Sequence, residues 1–272
     1  MIALSINGER LDESRRALDA LDRGLQYGDG VFETMRVANG EVRFWGDHYA
    51  RLLLGCGRLG IAAPDRGTLE ADIASLTSLE SEAVLKLIVT RGVGGRGYRS
   101  SPHAAPTRLL SLHALPASES FDTGIAVRWC ETRLARSPLL AGLKHLNRLE
   151  QVLAQNEWHD EAIAEGLMTD TEGEVICATA ANVFVVSEGT LVTPDLRFSG
   201  IRGVMRGRVL EAARQLELDI DERSLWPDEL LAATEIFVTN AVRGIRPVAS
   251  LDDRQWPVGA VTRRLAERLR PR

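Results

Sequence analysis

Residues 137–151, Ser-Pro-Leu-Leu-Ala-Gly-Leu-Lys-His-Leu-Asn-Arg-Leu-Glu-Gln, decide how this chain is read. Their lysine, Lys144, is one of only two in the 272 residues; the other is Lys86, and the remaining cations among the 33 Lys and Arg residues are arginines. A guanidinium stays protonated, whereas an amine can be tuned to neutrality and can condense with a carbonyl. On scarcity alone two readings of Lys144 stand: a solvated lysine in an arginine-biased chain, or an amine kept for its chemistry. Pro138 and Gly142 predict a turn, and Leu146, Leu149, Val152 and Leu153 recur at helical spacing. A helix is therefore expected over 144–158, with Lys144 where a loop enters it.

Working outward, Met1 to Arg10 reads as a strand and turn rather than a signal peptide. Residues 31–37 read as a strand. Residues 46–60 read as a helix with Leu52, Leu53, Cys56 and Leu59 on one face. Residues 83–90 and 107–115 form a hairpin around a glycine-rich loop, Arg-Gly-Val-Gly-Gly-Arg-Gly-Tyr (91–98). Residues 116–122 are small, polar and acidic, and are expected to link a smaller domain (1–115) to a larger one (123–272). In the second half, strands are expected over 125–132, 165–169, 175–186, 190–193, 236–239 and 245–248, with helices over 201–216 and 258–270. Clustered strands with interspersed helices predict an α/β (α+β) fold with mixed sheets, and the missing βαβ alternation speaks against a Rossmann fold.

Composition narrows the function classes. An apolar share of 44% and a charged share of 26% are those of an ordinary globule. The net charge of −5 offers no electrostatic case for nucleic acid or an anionic membrane. No apolar run approaches the roughly 20 residues that span a bilayer. Cys56, Cys130 and Cys177 are odd in number and widely spaced, which predicts neither a disulfide framework nor a zinc site and fits a reducing cytoplasm. No metal-ligand spacing or Ser-His-Asp arrangement stands out. Lys86, mid-strand with no turn or anion site beside it, is a poor rival to Lys144, and His48 and His145 read as helix residues.

The stretch around Lys144 resembles the Schiff-base lysine segment of the fold-type IV pyridoxal-phosphate enzymes, the class IV aminotransferases. Within that family, Lys-His-Leu-Asn-Arg-Leu-Glu-Gln (144–151) is most similar to the aminodeoxychorismate lyase branch, and the resemblance runs nearly end to end. It implies a two-domain fold with pyridoxal 5'-phosphate in the interdomain cleft, bound through Lys144, which sits in the larger domain. It also implies a homodimer and a small-molecule substrate, 4-amino-4-deoxychorismate, cleaved to pyruvate and 4-aminobenzoate for folate synthesis. The rivals are a D-amino-acid or branched-chain aminotransferase and a binding-only relative.

The same resemblance implies roles for individual residues. Arg51, in Asp-His-Tyr-Ala-Arg-Leu (47–52), matches an arginine that grips the phosphate; by itself it reads as a helix-surface arginine. Ser199-Gly200-Ile201-Arg202-Gly203 precedes a helix, where glycines permit close approach to an anion. It matches the family's phosphate turn, so the amides of Ile201 and Arg202 are expected to face the phosphate. Thr239-Asn240-Ala241 matches a second phosphate segment through Asn240 and Ala241. On spacing alone both are equally a helix cap and a turn. Phe32 matches a pocket residue, and Arg91, Tyr98 and Arg108 match substrate-binding positions, while Arg96 and Arg99 read as solvated.

The chain departs from the family at Cys177. Counting back from the intact Ala181-Asn182-Val183-Phe184 puts Cys177 where most relatives carry a glutamate that pairs with the pyridine nitrogen. A neutral thiol keeps that nitrogen protonated poorly. Glu174, an odd number of residues away, is expected on the opposite strand face. Three readings stand beside that of a plain buried cysteine: a weaker electron sink suffices, another acid substitutes, or activity is altered.

Overall fold

The computed structural model describes residues 1–12, 18–101, 103–117 and 120–270. It falls into two compact units, Met1–Ala117 with Leu143–Asn147, and Ser118–Gly142 with Arg148–Arg272. The linker expected over 116–122 includes residues 118 and 119, which lie outside the described residues. Lys144 was expected in the larger C-terminal domain; by its packing, its short segment belongs instead to the first unit.

The first unit is built on an antiparallel six-stranded sheet. Its elements are β1 (Ala3–Ile6), β2 (Glu9–Leu11), α1 (Arg23–Tyr27), β3 (Gly30–Ala38), β4 (Glu41–Val42), α2 (Trp45–Leu59), α3 (Arg66–Thr77), β5 (Ala83–Thr90) and β6 (Thr107–Ala114), with strand order β2-β1-β6-β5-β3-β4. Strict alternation gives the sheet its two faces. Val31, Met35 and Val37 of β3, Leu85, Leu87 and Val89 of β5, and Leu110 and Leu112 of β6 form one core. Leu52 and Cys56 of α2 and Leu69, Ile73 and Leu76 of α3 pack into it. Leu53, expected on the buried face of α2, is exposed; His48 and Gly55 take the inward positions beside Leu52 and Cys56. The sequence reading passed over α3, whose start is set by Asp65: its Oδ1 accepts from Thr68 N at 2.9 Å.

The second unit carries a mixed sheet. Its elements are β7 (Ile125–Trp129), α4 (Leu149–Gln155), β8 (Ile163–Thr169), β9 (Val175–Ala178), β10 (Asn182–Ser187), β11 (Thr190–Thr193), α5 (Val204–Gln215), β12 (Ile220–Glu222), α6 (Pro227–Ala232), β13 (Glu235–Asn240), β14 (Gly244–Leu251), β15 (Arg254–Gln255) and α7 (Ala260–Leu269). The order is β12-β11-β10-β13-β14-β7-β8-β9, with β15 on β14. The β11–β12, β14–β7 and β7–β8 pairs are parallel. Val183 and Val185 point into one core with Ile236 and Val238. Phe184 and Phe237, on the other face, stack at 5.0 Å between centroids beneath α5 and α7.

Among the expected elements that come out shorter, two have a clear cause in their contacts. The helix expected over 144–158 begins only at Leu149, because the main chain of 144–146 pairs with β3: Phe32 N donates to Lys144 O at 2.9 Å and Leu146 N to Gly30 O at 3.0 Å. Backbone donors and acceptors used in a ladder cannot also serve a helix. The strand expected over 175–186 breaks at Thr179–Ala181, where buried Glu165 accepts from Thr179 Oγ1 at 2.5 Å and Ala180 N at 3.0 Å.

Candidate active site

In the first unit, Lys144 lies on an extended segment. His145 forms an antiparallel bridge to Val31, and Asn147 Nδ2 donates to Gly28 O at 3.3 Å. His145 is buried in this bridge and is not a helix residue. Pinned on both sides, the segment holds Lys144 Nζ 4.3 Å from the centroid of the Phe32 ring. That ring attracts the ammonium form electrostatically and gives Phe32 a place at the site.

Arg51 is not a surface arginine. Its Nε donates to Glu33 Oε1 at 2.8 Å and its Nη2 to Glu33 Oε2, while His48 Nδ1 lies 2.6 Å from Oε2. Glu33 is 1% exposed. Burial alone would raise its pKa, but the Arg51 charge and the His48 and Arg51 hydrogen bonds bring it below the usual carboxylate range. His48 Nε2 has no hydrogen-bond partner among the described residues. The sequence reading passed over Glu33 and took His48 only as a helix residue, which it is. The available signal was a carboxylate on the inward register of an otherwise apolar strand, with His48 and Arg51 three positions apart on the facing helix.

The three hairpin residues expected to bind substrate fare differently. Arg91 is consumed by structure: Nε and Nη2 donate to Asp29 at 2.7 and 3.0 Å, Nη1 to Gly60 O at 2.6 Å and Nη2 to Leu59 O at 2.7 Å. Asp29, which burial would raise, is held below its ordinary pKa by Arg91 and Arg23. Arg108 Nε donates to Asp72 Oδ2 of α3 at 2.8 Å. These two side chains therefore brace the fold. Tyr98 is 89% exposed; its ring meets that of Tyr27 edge-on at 5.7 Å, and its carbonyl accepts from Arg23 Nη2 at 3.0 Å. Arg96 and Arg99 are exposed, as expected.

In the second unit, the turn before α5 is set by Asn182, whose Nδ2 donates to Ile201 O at 2.8 Å and whose Oδ1 accepts from Gly203 N at 3.2 Å. A Cβ on Gly203 would collide with that oxygen, so the close approach requires glycine. Gly203 caps α5 without a side-chain hydrogen bond, which leaves the helix start suited to an anion. The amide of Arg202 does not face outward as expected, because it donates to Gly142 O at 3.1 Å in a bridge between Gly142 and Ile201. Asn240 turns its side chain to the hairpin: Oδ1 accepts from Val242 N at 3.1 Å and Arg243 N at 2.8 Å, so Ala241 sits within a closed turn.

Cys177 is buried in β9 among Leu134, Ala154, Met168 and Ile176. Burial first, then nearby carboxylates, push its thiol up to about 12 against the pull of Arg148. Both carboxylates whose charge reaches it are committed: Glu165 to Arg246, and Glu150 to Ala135 N at 2.8 Å. Glu174 faces Arg136 at 3.7 Å. Taken by itself, the braced lysine suits an aldehyde; taken by itself, the turn before α5 suits an anion; and Cys177 supplies no acid for a ring nitrogen. Among the described residues no group of three or more His, Cys, Asp or Glu could hold a metal, and no helix is long and apolar enough to cross a membrane.

The family profile of amino-transferase class IV matches residues 30–251. Aminodeoxychorismate lyase of Vibrio harveyi is 36% identical over 250 residues, covering 90% of this chain and 92% of that protein. D-alanine aminotransferase of Bacillus licheniformis is 27% identical over 266 residues, covering 93% and 90%. The crystal structure of 4-amino-4-deoxychorismate lyase from Pseudomonas aeruginosa superposes with a TM-score of 0.92 at 45% identity, covering 98% of each chain.

Proposed function

Because the chain belongs to the class IV aminotransferase family, whose cofactor is pyridoxal 5'-phosphate, we propose that it is a 4-amino-4-deoxychorismate lyase with Lys144 as its reactive amine. The observation that carries this reading is the main-chain bracing of 144–147, which presents Lys144 over the Phe32 ring at 4.3 Å, in the segment most similar to the lyases. The matching names of the relatives at 36% and 45% identity support it.

When bound, the cofactor supplies an aldehyde for amines and an electron-withdrawing ring. Lys144 would hold it through its amine, and the same Nζ, when free of the cofactor, would act as the base. Its Nζ takes the proton from the amine-bearing ring carbon. The bond from the neighbouring ring carbon to the enolpyruvyl oxygen breaks and the ring becomes aromatic. The Lys144 proton passes to the methylene carbon of the departing enol. The products are 4-aminobenzoate and pyruvate, and the atoms balance without water or an oxidant. Aromatisation drives this elimination, which suits a site whose residue 177 is a neutral thiol better than a carboxylate-dependent transamination.

Arg51, the amide of Ile201 and the segment from Asn240 to Ala241 are proposed phosphate contacts, with Arg202 contributing only through its backbone link to Gly142. Self-association is part of the proposal: Leu139, Leu149, Val152 and Leu153 are 81, 77, 51 and 60% exposed, an apolar stretch that a second copy would cover. A cytoplasmic setting is supported by three free cysteines. The deciding experiment is an absorbance scan with pyridoxal phosphate, followed by pyruvate detection with aminodeoxychorismate. Lys144→Ala should abolish both the visible-edge band and turnover, and persistence of both would sink the assignment. A band with keto-acid-dependent amino transfer and no pyruvate would favour the aminotransferase reading.

A further inference from the structure

The chain uses arginine almost wherever it needs a cation, yet its two lysines converge on one aromatic ring. Lys144 Nζ lies 4.3 Å from the centroid of Phe32 and Lys86 Nζ lies 5.4 Å from the same centroid. The strand register explains the meeting. Phe32 pairs with Ile88, and Thr34 with Lys86, so Phe32 and Lys86 are diagonal neighbours on the sheet face turned away from α2 and α3. Ser111 of β6 stands opposite Lys86 on its other side.

Lys86 sits half-buried in the middle of this face, and no acidic side chain among the described residues pairs with it. Neighbouring Ser111 is turned to His113 Nε2 at 2.9 Å. The His113 ring is held below its ordinary pKa by burial, then by the chain N-terminus and the Lys86 charge. Structural pairing, which absorbs Arg91 and Arg108, does not account for Lys86.

We infer that Lys86 is a substrate-positioning residue, anchoring a carboxylate of the molecule whose amine reacts at Lys144. Two amines within 4.3 and 5.4 Å of one ring centroid suit a rigid, flat amino acid with its amine and its carboxylate at opposite ends. One end reaches the reactive amine, the other meets the fixed charge, and the ring lies against Phe32. This deepens the proposed lyase reading and rests on it for the identity of the substrate, but not for the placement of the anion.

The test uses holoenzyme carrying Lys86→Met, which keeps the stem and removes the charge, and Lys86→Arg, which restores a cation. Binding of 4-aminobenzoate and of aniline is measured by calorimetry, and steady-state kinetics with aminodeoxychorismate run alongside. Lys86→Met should weaken 4-aminobenzoate by about tenfold or more, leave aniline within about twofold, and raise KM far more than it lowers kcat. Lys86→Arg should recover most of the 4-aminobenzoate affinity. Equal affinity of wild type and Lys86→Met for 4-aminobenzoate would overturn the inference, as would parallel loss of aniline, which signals a structural role. Should Lys86→Met fail to fold, Lys86→Gln replaces it. If wild type releases no pyruvate, the lyase reading falls alone, and the 4-aminobenzoate and aniline comparison still decides the role of Lys86.

Discussion

Replacing Glu33 with Gln tests the buried network that orients Arg51. The carboxylate takes two bonds from Arg51 and one from His48, and the side chains of Glu33, Arg51 and His48 are 1, 12 and 0% exposed. Removing one partner of a buried charge pair costs about 3–5 kcal/mol, because the other charge keeps its desolvation penalty. Gln keeps one carbonyl acceptor for Arg51, while its amide opposes the His48 donor, so the loss should be about 2–4 kcal/mol. For a chain of this size that corresponds to a Tm lower by roughly 4–16 °C.

The effect has a pH signature. Glu33 is lowered from an ordinary 4.5. Between the unfolded and folded values the unfolded chain binds a proton that the native protein does not, so stability rises with pH there. The contribution is complete above the unfolded value and is lost as pH falls through the folded one. Urea unfolding of wild type and Glu33→Gln should therefore show the full gap at pH 7 and a smaller one in acid. A difference under about 0.5 kcal/mol at pH 7, or one that does not shrink in acid, would refute the reasoning.

Two further outcomes follow from the site geometry. Arg91→Met should lower stability by about 1–3 kcal/mol, since it removes the brace between Asp29 and the end of α2, while leaving KM within about twofold; a large KM effect at unchanged stability would restore Arg91 to substrate binding. Burial holds Cys56, Cys130 and Cys177 up at about 11, 12 and 12, so the native protein at pH 8 should resist alkylation while the denatured chain reacts at all three. Rapid modification of Cys177 in the native state would show that the thiol is ionisable after all.

Local signals in the sequence were enough to read much of this fold. The alternation of β3 and β5 and the hairpin to β6 follow from period-2 patterning, which one buried face enforces. The helix expected at 144 was misread because its apolar spacing is real, but the first residues spend their backbone groups on β3, a partner more than a hundred residues away. Arg91 and Arg108 carry no local mark that separates a brace from a binder; their acids, Asp29 and Asp72, are distant in sequence. The clamp by Asn182 was visible as an intact motif, yet its purpose emerges only where Gly203 comes against it. Cys177 was legible as a departure, while the commitment of Glu165 and Glu150 to other partners was not.

The lysine pair around Phe32 also changes how this molecule meets aldehydes in general. An arginine-clad surface offers no side-chain amine for sugars, glutaraldehyde or stray carbonyl metabolites to condense with. Every side-chain position open to that chemistry stands beside a single ring. Reductive trapping with a small aldehyde should thus mark 144, 86 and the chain terminus and nothing else, which makes the protein its own site-selective label and spares it the background of adducts that accumulates on lysine-rich proteins.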